Sequence, residues 1–161
     1  MSYGTYQALA GRLQQGISDI ERVVQRVEIL HDKAQKSGDS GYLDGIALNL
    51  HSFYTGIESL FEDIARTLDQ AIPSGGNWHK ELMQQMGAQL DGVRPSVLSE
   101  QTRFCLDEYR AFRHLVRNIY TFNLRPSRMK ELAEGLGDCF QMVTQDLADF
   151  IKFLKEIAHD T

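Results

Sequence analysis

Leu132-Ala-Glu-Gly-Leu136-Gly-Asp-Cys-Phe140-Gln-Met-Val143-Thr-Gln-Asp-Leu147-Ala-Asp-Phe150-Ile-Lys-Phe-Leu154-Lys-Glu-Ile157 carries its numbered apolar residues at steps of three and four. That interval matches the 3.6-residue turn of an α-helix and gathers them on one face. The same spacing recurs upstream. Leu13, Ile17, Ile20, Val24, Val27, His31 and Ala34 form one stripe; Ile46, Leu50, Phe53, Ile57, Phe61, Ile64 and Leu68 form a second. A third runs through Cys105, Tyr109, Phe112, Val116 and Ile119, and a shorter segment carries Trp78, Leu82, Met83 and Met86. Helices are predicted over about 6–36, 43–70, 77–90, 99–120 and 127–158. Ser37-Gly-Asp-Ser-Gly41, Pro73-Ser-Gly-Gly76, Asp91-Gly-Val-Arg-Pro95 and Pro126 punctuate them. No stretch alternates with the two-residue period of a strand. Long helices joined by short loops pack as antiparallel neighbours. The fold expected is therefore all-α: an up-down bundle of four main helices plus one short helix, in a single domain over residues 1–161.

A chain of 161 residues has enough interior to fold without a metal or disulfide. Cys105 and Cys139 match neither a disulfide framework nor a zinc pattern, so free thiols in a reducing cytoplasm are expected. No apolar run reaches the roughly 18–20 residues of a membrane span. The N-terminus lacks the features of a signal peptide. A soluble, cytoplasmic protein is the expectation.

Charge gives the first functional signal. The chain has a formal charge of −5, yet residues 101–130 hold seven cations against two anions. That window carries +5 and the remainder −10. At 100° per residue, Arg103, Arg110, His114 and Arg117 fall within about 60° of one another, flanked by Arg113 and Asn118, with Tyr120 at the edge. Arginine binds phosphate bidentately and stabilises charge on a phosphorane. Histidine can act as general acid or base. Asn118 and Tyr120 could orient a phosphate or a 2′-hydroxyl. These residue types suit binding or metal-free cleavage of RNA, whose own 2′-hydroxyl is the nucleophile. A plain solvated face, with Asp107 or Glu108 pairing with Arg110, accounts for the same pattern.

Phe112-Arg-His-Leu-Val-Arg-Asn-Ile-Tyr120, followed by Leu124-Arg-Pro126, resembles the HepT-like proteins of the HEPN superfamily. Leu50-His-Ser-Phe-Tyr-Thr-Gly-Ile-Glu58, Ile64-Ala-Arg66 and Trp78-His-Lys-Glu-Leu82 share in the resemblance, which spans about residues 45–135. The family motif is an arginine, four to six residues, then histidine, often followed by x-Tyr. The resemblance implies a homodimer whose motif helices line a cleft, acting as a metal-independent endoribonuclease toxin. It also implies a minimal nucleotidyltransferase as antitoxin, which in some systems adenylylates the motif tyrosine. Carried over by position, Arg113 would contact the scissile phosphate and Tyr120 would be the modifiable tyrosine. Arg110 and Arg117 would supply the surrounding field. Asn118 occupies the histidine position and cannot transfer a proton near neutral pH. His114, one turn earlier, is the substitute acid/base. The alternative is a catalytically inactive partner of the nucleotidyltransferase that binds nucleotide or RNA.

The remaining residues of chemical interest read as structural. Glu28/His31 and Glu156/His159 repeat the Glu-x-x-His spacing of di-metal bundles. Both pairs lie at helix C-termini, at opposite poles of an up-down bundle, so no metal site is expected. His31 is expected as a buried or rim histidine. Trp78-His79 is expected to cap and pack the short helix. Tyr54 and Glu58 either orient the motif helix or lie exposed. Ser74-Gly-Gly76 lacks the spacing of a phosphate loop, and no cofactor is expected.

Overall fold

The predicted stripes become helices in the computed structural model, which describes residues 2–118 and 124–160. They are α1 (Tyr3–Ser37), α2 (Gly41–Ile64), α3 (Trp78–Gly87), α4 (Glu100–Asn118) and α5 (Pro126–Asp160). Among the described residues there is no strand. α1 packs along α2 and α5, α4 lies against α2 and α5, and short α3 bridges α2 and α4. The architecture is the expected all-α bundle of four long helices and one short one.

Local chemistry sets the helix ends. Gly38 stops α1 in the left-handed conformation (φ 69°) and donates its N–H to the Ala34 carbonyl. Pro126 opens α5, where its missing N–H costs nothing. At the head of α4, the Ser99 hydroxyl accepts the Thr102 N–H at 3.2 Å, and the Ser99 N–H donates to Asp146 of α5 at 2.9 Å.

The stripes meet in one connected core that includes Leu13, Val27, Leu50, Phe53, Phe61, Leu106, Leu136 and Leu147. α1 and α2 approach so closely at Gly16 that any β-carbon there would collide with the Leu60 side chain. Tyr109 ties α4 to α5 by donating to the Leu132 carbonyl at 2.7 Å, and its ring meets Phe53 edge-on.

The second helix ends differently from its predicted run to Gln70. Past Ile64 it widens into a π-helical turn, Ala65–Asp69, closed by Gln70 at φ 54°. Asp69 then meets Arg94 in a fully buried bidentate pair, with Nε–Oδ1 at 2.7 Å and Nη2–Oδ2 at 2.8 Å. The other guanidinium hydrogens go to the carbonyls of Gln85, Ala88 and Pro95. Gln85 adds a bond to Asp69 and another to the Ala71 carbonyl. This network joins the end of α2, the end of α3 and the loop that leads into α4.

The free-thiol expectation is overturned. Cys105 and Cys139 are joined as a disulfide, with α-carbons 5.9 Å apart, and neither is free. Both lie on inward faces of α4 and α5, and the packing of the two helices brings them within bridging distance. Their separation in sequence carries no trace of that encounter. The cysteine argument for a reducing compartment falls with it.

Removing one partner of a buried ion pair strands the other charge. Arg94→Ala is therefore expected to cost about 3–5 kcal/mol of stability. Chemical denaturation of the variant against wild type measures it, and a loss below about 1 kcal/mol, the worth of a surface pair, would contradict the structural role given to this pair.

Candidate functional site

α2, α3 and α4 bring a chemically coherent set of side chains to one place. Glu58 follows the buried face of α2 and is only 2% exposed. A carboxylate in that position needs a partner. His79, in the first turn of α3, supplies it: His79 Nδ1 lies 2.7 Å from Glu58 Oε2. A carboxylate only accepts, so in the neutral ring the contact places the proton on Nδ1 and makes Nε2 the acceptor. Arg113 of α4 reaches toward that acceptor with Nη1 at 3.5 Å, while its Nε donates to Thr55 Oγ1 of α2 at 3.2 Å. Trp78 stacks on the His79 ring with centroids 3.7 Å apart and covers its flank.

A pocket of about 180 Å³ opens over this cluster. Its walls include His79, Lys80, Arg110, Arg113 and His114. Three cations and two histidines thus share one small concavity, whereas the carboxylate that orients His79 is buried behind it. The arrangement suits an anion with a transferable proton nearby.

The structure brings together some of the sequence-predicted residues and separates others. Arg113 and His114 share the pocket, Arg113 half-buried and His114 exposed. Arg110 joins them, with its Nε donating to Asp107 at 2.7 Å, one of the pairings open to it in the sequence. Arg103 does not take part. Its guanidinium lies over Gly87 at the end of α3, where even a methyl group would overlap it. The side chains of Arg117 and Asn118, and all of Tyr120, lie outside the described residues.

One expectation is corrected in part, since Trp78 does pack against the core, and one open alternative is decided. His79 caps nothing at the start of α3 and faces the pocket instead. Glu58 and Tyr54 are both buried, and Glu58 bonds to His79 rather than lying exposed. Sequence reasoning missed the Glu58–His79–Arg113 grouping and Thr55. The signal available was Glu58 itself, an acidic residue one turn after Tyr54 and three residues before Phe61, at the edge of the apolar stripe of α2. His31, as expected, sits at a rim, 3.3 Å from Glu134 of α5. Among the described residues, no group of three or more His, Cys, Asp or Glu side chains could hold a metal ion. No helix of the described residues is long and apolar enough to cross a membrane.

In comparison with known proteins, a family model described as HepT-like protein matches residues 45–154, which contain every residue of the pocket. No curated protein and no solved structure matches the chain.

One turn before Glu58, the Tyr54 hydroxyl is buried with no hydrogen-bond partner among the described residues. Burial, and next the charge of Glu58, raise its pKa above the ordinary 10.0. Burial, and next Glu108, raise that of Tyr109 likewise. A raised folded-state pKa gives stability that is fully present below about pH 10 and is lost as the pH rises from there, by about 1.4 kcal/mol per pH unit for each tyrosine. Denaturation curves on either side of pH 10 are expected to follow that slope. Tyr54→Phe is expected to reduce it by about half. A variant that keeps the full slope would contradict this account.

Proposed function

Since this chain belongs to the HepT-like family, we propose that it is a metal-independent endoribonuclease, the toxin of a toxin–antitoxin pair. The observation that carries the reading is Arg113, half-buried, braced by Thr55 and turned into a pocket shared with His79, His114, Arg110 and Lys80. Arg113 binds the scissile phosphate, and Arg110 and Lys80 hold the flanking backbone electrostatically. Guanidinium charge also stabilises the phosphorane as it forms. His114 serves as an acid/base group, since Asn118 cannot. The antitoxin is a minimal nucleotidyltransferase, and Tyr120 is the residue it would adenylylate.

The active unit is a homodimer with α4 facing α4. Phe104 is 78% exposed and Leu115 49%, and with exposed Ala111 they form an apolar seam beside the cationic residues. Pairing along this seam would set two pockets on either side of one cleft. Phe104→Glu is expected to yield a monomer in sedimentation; an unchanged dimer would place the interface elsewhere.

Purified protein in EDTA is expected to cleave RNA, and Arg113→Ala to lower the rate by about 10²–10³-fold, the size of losing one preorganised charge-stabilising donor. Cleavage undiminished in Arg113→Ala would overturn the assignment. RNA binding that weakens steeply with salt, without cleavage by wild type, would replace the nuclease with a binding partner of the nucleotidyltransferase.

A further inference from the structure

The motif helix has no proton-transfer group at Asn118, but the pocket has a second histidine that comes from a different helix. We propose that His79, oriented by Glu58, is the general base that activates the RNA 2′-hydroxyl; the inference rests on the ribonuclease reading above.

Three features of the site support it. In the neutral ring the Glu58 carboxylate holds the proton on Nδ1, so that Nε2 carries the lone pair a base requires. That nitrogen lies 3.5 Å from Arg113 Nη1, the group that grips the phosphate; once Arg113 turns to the phosphate, the lone pair it faced is open to the 2′-hydroxyl. The attacking oxygen must approach the same phosphorus to within about 3–3.5 Å, so a base beside the phosphate-binding guanidinium is correctly placed. Finally, Glu58 is buried behind His79, away from the pocket, where it can stabilise the imidazolium without repelling RNA. In the step itself, Nε2 takes the 2′-hydroxyl proton as the 2′-oxygen–phosphorus bond forms. The bond from phosphorus to the 5′-oxygen breaks, and His114, as imidazolium, protonates that oxygen. The products are a 2′,3′-cyclic phosphate and a 5′-hydroxyl end. Proton exchange with water resets both rings. His79 is thus a catalytic residue and Glu58 a positioning residue.

The test uses the full chain with mixed-sequence single-stranded RNA, and 2′-O-methyl RNA of the same sequence as a binding probe that lacks the nucleophile. His79→Gln is expected to lower cleavage by about 10²–10⁴-fold, the range of general acid–base catalysis, with affinity for the 2′-O-methyl RNA retained. Glu58→Gln is expected to behave alike, because its amide can donate to Nδ1 and leave the proton on Nε2. Added imidazole is expected to restore cleavage by His79→Gly, an effect that a purely structural histidine would not produce. Cleavage at the wild-type rate by His79→Gln, or loss without imidazole rescue, overturns the role of His79. If Arg113→Ala is nonetheless inactive, the ribonuclease reading stands without it. Failure of wild type to cleave overturns both.

Discussion

A buried ion pair between Asp69 and Arg94 sets the frame within which the pocket forms. α3 is a short helix and cannot bury much apolar surface of its own. Its far end is held by the Arg94 guanidinium, which binds the Gln85 and Ala88 carbonyls while paired with Asp69. Desolvating two charges is costly, and the full set of hydrogen bonds around them offsets that cost. What the pair provides is position. The π-helical turn carries Asp69 out of the regular path of α2, and Arg94 fixes the loop that enters α4. α3 is thereby pinned between the two helices whose side chains it must meet.

The pocket follows from that placement. Each helix contributes one function: α2 a buried carboxylate and a bracing hydroxyl, α3 an imidazole, α4 the cations. None of the contacts among Glu58, His79, Arg113 and Thr55 is local; each joins different helices. A displacement of α3 by a fraction of a turn would break the contact with Glu58 and the approach of Arg113 together.

The fold was legible because burial imposes a period. Ile20, Val24 and Val27 on α1, and Leu136, Val143 and Leu147 on α5, are buried as their spacing requires. The site was legible only where it also follows helix geometry, as with Arg110 and, one turn on, Arg113 and His114. His79 meets Glu58 across 21 residues and Arg113 across 34. The period of a single helix says nothing about which faces of two helices meet. Cys105 and Cys139 escaped for the same reason. Arg103 misled in the opposite sense, because it shares the angular sector of Arg110 but lies at the level of α3's C-terminus.

The link between Cys105 and Cys139 has a topological consequence. It turns the chain from 105 to 139 into a covalent ring that contains Arg110, Arg113, His114 and the start of α5. A single backbone cut anywhere in that ring would open it without releasing either part. The cationic turns of α4 would remain tethered to α5, and the severed molecule would still travel as one piece until the sulfurs were reduced.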